Sequence, residues 1–192
     1  MNLICNSRIK IFIFSLFFLF FLIHSSYINS SHKNLNVEKL LDSLQIAETN
    51  IEAKRIRKVI WNKWIYDLHE DLQQNLQYAL GEFYSGRLLS AEKAFTLLID
   101  KDPYYIEGWN KRATIRYMLN DLDGSLEDID KVLKLQPRHF GAISGSGLIY
   151  MKKKKYETSL GFYKTLNAID PMNKEGKNFI RLLNKLIIEN SA

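Results

Sequence analysis

Few side chains in this sequence fall where they could do chemistry. Glu127, Asp128 and Asp130 crowd into four consecutive positions, and paired carboxylates can carry acid–base work. Arg112 and Arg116 stand upstream one helical turn apart. An arginine at a helix-packing position needs a carboxylate partner, so the expected task of these acids is ion pairing, with Arg112 reaching Asp128 or Asp130. His24 and His32 lie near the N-terminus, and His69 and His139 lie far apart; no spacing of His, Cys and carboxylate suits zinc, and no metal or cofactor is expected. The single cysteine, Cys5, precedes the body of the chain, which leaves that body no disulfide and no thiol nucleophile. Gly145 and Gly147 in SGSG are not followed by GK[ST] and sit in a helical pattern, so they are expected to permit close helix contact, not to cradle phosphate. Two basic clusters, Lys54/Arg55/Arg57/Lys58 and Lys152 to Lys155, carry no aromatic interleaving suited to base stacking. Both are expected to be solvated surface. No catalytic constellation emerges. A hydrolase would require a cleft with displaced pKa values.

The elements that must position these residues are set by proline. The chain contains three, Pro103, Pro137 and Pro171, at intervals of 34 residues. With proline at position 32, the units are 72–105, 106–139 and 140–173. Position 8 then holds Ala79, Ala113 and Gly147, and position 20 holds Ala91, Ser125 and Ser159, small residues where two helices can approach. Position 24 holds Phe95, Ile129 and Tyr163, and position 27 holds Leu98, Val132 and Leu166. Trp109 stands at position 4 of the second unit. Position 15 offers Gly86 and Asn120, which accept a left-handed turn cheaply, and then Lys154, which departs from the pattern. Glu82 and Arg116 depart at position 11, usually aromatic, where Tyr150 conforms.

Period and pattern resemble the tetratricopeptide repeat (TPR), a helix–turn–helix unit. The segments EGWNKRAT (107–114) and QPRHFGAISGSGLIY (136–150) look like those of small exported bacterial TPR proteins of unassigned role. The resemblance covers roughly residues 37–173. It implies an all-α, TPR-type helical solenoid of three repeats with helical caps at both ends. It also implies a non-catalytic scaffold in the cell envelope that binds a protein or peptide. By the same resemblance, the concave groove is lined by positions 2, 5, 9 and 12: Gln73, Leu76, Leu80 and Phe83; Glu107, Asn110, Thr114 and Tyr117; Gly141, Ser144, Leu148 and Met151. The set is mostly neutral and lacks the lysine- and asparagine-rich clamp that captures a terminal carboxylate, so an extended or helical segment with apolar side chains suits it better. The alternative is a structural subunit or assembly factor working through the convex face or the caps.

The flanks complete the architecture. Residues 1–10 carry Arg8 and Lys10 and no acid, Ile11 to Ile23 are apolar except Ser15, and a small polar stretch follows. This order is that of a signal peptide or a membrane anchor over 1–25, with a polar linker over 26–34. A helix of the apolar run reaches roughly 20 Å, short of the roughly 30 Å hydrocarbon core. Membrane contact is expected only through this segment, and the rest of the chain is expected to be exported. The formal charge of +6 falls to +4 without Arg8 and Lys10, too mild and mixed to imply nucleic acid. Residues 35–71 show two helical patterns, expected to form a degenerate pair capping the N-terminal end, with Trp61 and Trp64 packed over the first repeat. Phe179, Leu182, Leu183, Leu186 and Ile187 mark a capping helix over 174–190.

Overall fold

The computed structural model describes residues 36–191; the expected leader and linker, 1–25 and 26–34, lie outside them. Contacts divide the chain after Leu40 into two units, the second of which holds all three repeats. The described residues are all helical or connecting: α1 (36–45), α2 (Asn50–Tyr66), a 3-10 turn (Glu70–Leu72), α3 (Gln73–Tyr84), α4 (Leu88–Lys101), α5 (Ile106–Met118), α6 (Leu122–Leu135), α7 (Phe140–Lys152), α8 (Tyr156–Ile169) and α9 (Lys174–Ser191). Helices α3/α4, α5/α6 and α7/α8 are the three repeats. Each pair packs on itself and on the next, giving the expected solenoid. No described helix is long and apolar enough to cross a membrane.

Local chemistry explains why the elements begin and end where they do. α4, α6 and α8 each stop two residues before a proline, and the residues between, Asp102, Gln136 and Asp170, share an extended backbone with ψ of 88°, 90° and 81°. Clash with the proline ring drives a preceding residue out of the helical region, so the 34-residue proline spacing becomes a 34-residue spacing of helix ends. Side chains cap several starts: Thr49 Oγ1 accepts from Glu52 N–H at 3.2 Å, Asp121 from Gly124 N–H at 3.0 Å, and Asn173 from Gly176 N–H at 2.8 Å.

Within the repeats, positions 8 and 20 meet. Ser125 Oγ donates to Ala113 O at 2.7 Å, and Ser159 Oγ donates to Gly147 O, also at 2.7 Å. These bonds need a small residue on both helices, as the sequence supplies. Around them lie two apolar clusters. One joins Leu68 and Leu72 to Leu76, Phe95 and Leu98 of the first repeat; the other joins Ala113, Ile129 and Val132 to Ala142 and Ile149 across the second and third.

The turn at position 15 is left-handed in all three repeats: Gly86 φ 74°, Asn120 φ 67° and Lys154 φ 58°. Lys154 therefore keeps the backbone of its counterparts at a steric cost of about 1–2 kcal/mol. Glycine would remove that cost and loosen the unfolded chain by about 0.5–1 kcal/mol. Lys154→Gly should raise stability by up to about 1 kcal/mol, seen as a higher urea midpoint; a lowered midpoint contradicts the strain.

Two departures from the repeat pattern are also explained. Glu82, at the usually aromatic position 11, receives Arg87 Nε and Nη2 at 2.9 and 2.5 Å, a bidentate pair that ties α3 to the start of α4. The Arg87 guanidinium holds the Glu82 carboxyl at about 2, well below the ordinary carboxylate value. Arg116, at the same position of the next repeat, donates through Nε to Glu92 at 2.9 Å and reaches Asp128 through Nη1 at 3.1 Å.

Two helices, α1 and α2, precede the repeats, and the segment from α2 to the 3-10 turn does two things. Ile65, Leu68 and Leu72 cover the first repeat's apolar cluster. The body of α2 runs on past that repeat to the starts of α5 and α7 and the end of α8. Trp64 stacks on His139 at 4.0 Å between ring centroids, and Arg57 Nη1 meets the fully buried Asp170 at 2.5 Å. Trp64 is a core residue as expected, but its partners belong to the second and third repeats' junction and not to the first repeat.

Candidate peptide-binding groove

The first helices of the second and third repeats, α5 and α7, lie side by side. Between them is a cavity of about 250 Å³. Asn110, Thr114 and Tyr117 of α5 face Ser144 and Leu148 of α7 across it, with Ala113, Ser125 and Ile129 at its floor and Trp61 of α2 as a wall. Six of the groove positions named by the resemblance, Gly141 among them, are thus brought to one cavity. The lining mixes an apolar floor with a few polar groups, the composition of a site that holds a side chain in register.

Trp61 reaches this place because Gly141 has no side chain: a Cβ there would stand 2.6 Å from the indole ring. Trp61 is further fixed by T-shaped contacts to Trp64 and Phe140 with centroids 5.6 and 5.2 Å apart. Lys111 Nζ lies 5.5 Å from the Trp61 ring and 6.0 Å from the Phe83 ring. Lys152 Nζ stands 5.2 Å from the Tyr117 ring. Cations over these aromatic faces hold the rings at the rim of the groove.

Under the wall lies a buried polar network. Glu107 is fully enclosed; it accepts from Asn110 Nδ2 at 3.0 Å and pairs with Lys111 at 3.2 Å. His139 caps α7, its Nδ1 accepting from Ala142 N–H at 3.1 Å. That acceptor role places the ring proton on Nε2, which lies 3.3 Å from Glu107 Oε2 and donates to it. A second network lies in the repeats: Arg112 donates to both oxygens of the buried Asp128 at 2.9 and 2.7 Å and to Thr96 Oγ1 at 3.0 Å. The expected partner of Arg112 is Asp128; Asp130 instead pairs with Lys134 on the surface.

The remaining groove positions are placed differently. Leu76 and Leu80 are buried in the first repeat's cluster, under Leu68 and Leu72, so neither offers a side chain to a partner. Gln73 Nε2 donates to Leu68 O at 3.1 Å, holding the cap. Glu107 and Asn110 are spent largely on each other. Phe83 and Met151 are half-buried at the ends of the line. The sequence reading missed Lys111, and it placed Trp61 in the core. The close approach at Gly141 was the signal available for Trp61, but nothing local says that α2 crosses there.

Burial pushes the Tyr105 and Tyr163 hydroxyls up from their ordinary pKa, and Arg87 and Arg116 are raised by their carboxylate partners against the effect of burial. None of these groups lines the cavity, nor does Glu82. Among the described residues no cluster of three or more His, Cys, Asp or Glu could hold a metal ion. The basic cluster of α2 is divided, since Arg57 is committed to Asp170. In the run from Lys152 to Lys155, Lys153 pairs with Asp123.

No family model matches the sequence. Among curated proteins, a TPR repeat-containing protein of Rhizobium etli is 31% identical over 154 residues, covering 80% of this chain and 76% of the relative. Solved structures share the fold at low identity. The first TPR of Spaghetti (RPAP3), bound to an HSP90 peptide, superposes with a TM-score of 0.57 at 21% identity, over 58% of this chain and 89% of that one. The Sgt2 TPR domain of Aspergillus fumigatus gives 0.59 at 14%, over 65% and 83%. The type III secretion chaperone SycD of Yersinia enterocolitica, with a peptide of the translocator YopD, gives 0.55 at 13%, over 65% and 95%. Proline-set helix ends, small residues at the helix contact and this relationship together make the chain a member of the tetratricopeptide-repeat family.

Proposed function

We propose that this scaffold holds an extended polypeptide segment along α5 and α7, seating one bulky apolar side chain in the cavity between Trp61 and Tyr117. The observation that carries this reading is the cavity itself, about 250 Å³, lined from both helices and open to the groove. Its walls are rings and aliphatic side chains, and its polar groups Thr114 and Ser144 suit a peptide backbone. The solved TPR domains with bound peptides support a peptide as the class of ligand. Trp61 narrows the groove on one side, which favours a single extended strand over a helix about 10 Å across.

The test is Tyr117→Ala, measured for capture of the polypeptide that co-purifies with the tagged wild-type protein. Aromatic anchors commonly contribute about 2 kcal/mol or more, so capture should weaken about thirtyfold, with little change in melting temperature because Tyr117 is half-buried. Full capture by a folded Phe83→Ala/Tyr117→Ala protein rejects the groove. It would favour the alternative, an assembly surface on the second helices, where Leu89 and Leu97 of α4 are 66% and 58% exposed.

The setting we propose is the cell envelope, with residues 1 to about 25–30 directing export. The basic start, short apolar run and polar end of that segment support it. N-terminal sequencing of protein from fractionated cells should find the leader removed, or retained in a membrane fraction. An intact Met1 in a soluble cytoplasmic fraction contradicts export.

A further inference from the structure

We infer that the outward face of α2 is a docking surface for an anionic lipid bilayer, a role separate from the groove. α2 turns Ala53, Ile56, Ile60 and Trp64 inward, and all four are buried. On its opposite side Ile51, Arg55, Lys58, Val59, Asn62 and Tyr66 recur at i, i+4, i+7, i+8, i+11 and i+15, a single stripe. Every one of them is exposed, Ile51 by 84% and Tyr66 by 55%. Lys54 flanks the stripe, also exposed.

Charge decides what covers such a face. Arg57, nearer the solenoid, is neutralised by Asp170, whereas Lys54, Arg55 and Lys58 form no ion pair with any described residue. The single acid of α2, Glu52, lies in its first turn with its carboxylate on Glu48 N–H. Three unneutralised cations among Ile51, Val59 and Tyr66 give a surface that is basic and apolar at once. An interfacial helix uses this combination: cations meet lipid phosphates, aliphatic side chains enter the acyl boundary, and an aromatic sits at headgroup level. A nucleic-acid backbone would match the cations and leave Ile51 and Val59 unmatched, and one tyrosine at the helix end is no stacking platform. The inward face is held by Trp64 and Arg57, so α2 can present its outer stripe while remaining folded on the repeats.

The experiment uses the full chain and vesicles of phosphatidylcholine alone or mixed with phosphatidylglycerol. Because the leader, with its apolar run Ile11–Ile23 and its own Arg8 and Lys10, is common to the wild type and the variants, the measure is the change in the ratio of binding to anionic over neutral vesicles. Each basic side chain near an anionic surface is worth about fivefold, so three give about a hundredfold. Lys54→Gln/Arg55→Gln/Lys58→Gln should lower the ratio by about that factor with an unchanged melting temperature, and added salt should do the same to the wild type. In a Cys5→Ser background, a polarity-sensitive probe at Val59→Cys should enter an apolar environment on anionic vesicles, while one at Leu97→Cys, on α4, stays aqueous. An unchanged ratio in the folded triple variant overturns the inference, as does a Val59→Cys probe that remains in water. It is equally overturned if the three cations bind an oligonucleotide while vesicles are ignored.

Discussion

Trp64→Ala should destabilise the protein by about 3–5 kcal/mol, the range for removing a buried tryptophan, and should release α2 before the repeats unfold. Trp64 is 3% exposed and is held by His139 at 4.0 Å, Phe140 at 5.0 Å and Trp61 at 5.6 Å between ring centroids. Other ties between the body of α2 and the repeats are Trp61 on Phe140 and under Lys111, Arg57 to Asp170 at 2.5 Å, and Tyr105 Oη donating to Ile65 O at 2.8 Å at its far end. The repeats, by contrast, pack α5 on α6 and α7 on α8 along whole helices. Loss of the tryptophan therefore falls on the element with least support. Hydrogen exchange should show α2 amides losing protection while α5 to α8 keep theirs. A loss below about 1 kcal/mol, or equal loss of protection everywhere, would show that α2 is not held by this ring cluster.

Proline spacing and the small residues at positions 8 and 20 act locally, through the backbone of a preceding residue and through contact between adjacent helices, so repeat boundaries and register were legible in the sequence. Lys154 shows the limit of residue type as a signal. Its identity argued against a left-handed turn, yet its φ of 58° matches Gly86 and Asn120, because packing of the flanking helices fixes the turn. The path of α2 was not legible. Periodicity identifies Ile56, Ile60 and Trp64 as an inward stripe, but a stripe fits any apolar surface. The choice of the second and third repeats depends on His139, Phe140, Gly141 and Asp170, more than seventy residues downstream. For the same reason Leu76 and Leu80 were placed in the groove. They occupy groove positions of the repeat, and it is the segment Ile65–Leu72 that covers them.

That crossing gives the groove its present form. A three-repeat solenoid offers an inner surface built from the same positions of successive helices, and here the first repeat's share is taken by the cap. Trp61 stands across part of the rest, admitted by Gly141 and steadied by Lys111. Lys111 is tied through Glu107 to His139 and so to Trp64, which makes the wall of the cavity and the attachment of α2 one connected structure. A partner that needed more room would have to move α2, and the Trp64→Ala protein should bind such a partner more tightly than the wild type does.

Arg112→Met should destabilise the protein by about 3 kcal/mol, at the lower end of the 3–5 kcal/mol seen when one member of a buried ion pair is removed. Methionine keeps much of the volume and none of the donors. Asp128, 1% exposed, would lose both of its short bonds to Arg112 and keep only Arg116 Nη1 at 3.1 Å. That remaining contact is why the cost is placed low in the range. Arg112 also stacks its guanidinium 4.9 Å from the Trp109 ring and bonds Thr96 of the preceding repeat, so the loss should loosen the junction between the first and second repeats as well as the second repeat itself. Pairing the change with Asp128→Leu removes the stranded charge, and the double variant should recover most of the stability, since apolar replacements of a buried pair are often neutral or better. The double-mutant cycle therefore separates a stranded carboxylate from lost packing. If Arg112→Met/Asp128→Leu is as unstable as the sum of the single changes, packing around Trp109 and Thr96, and not charge, is what Arg112 contributes.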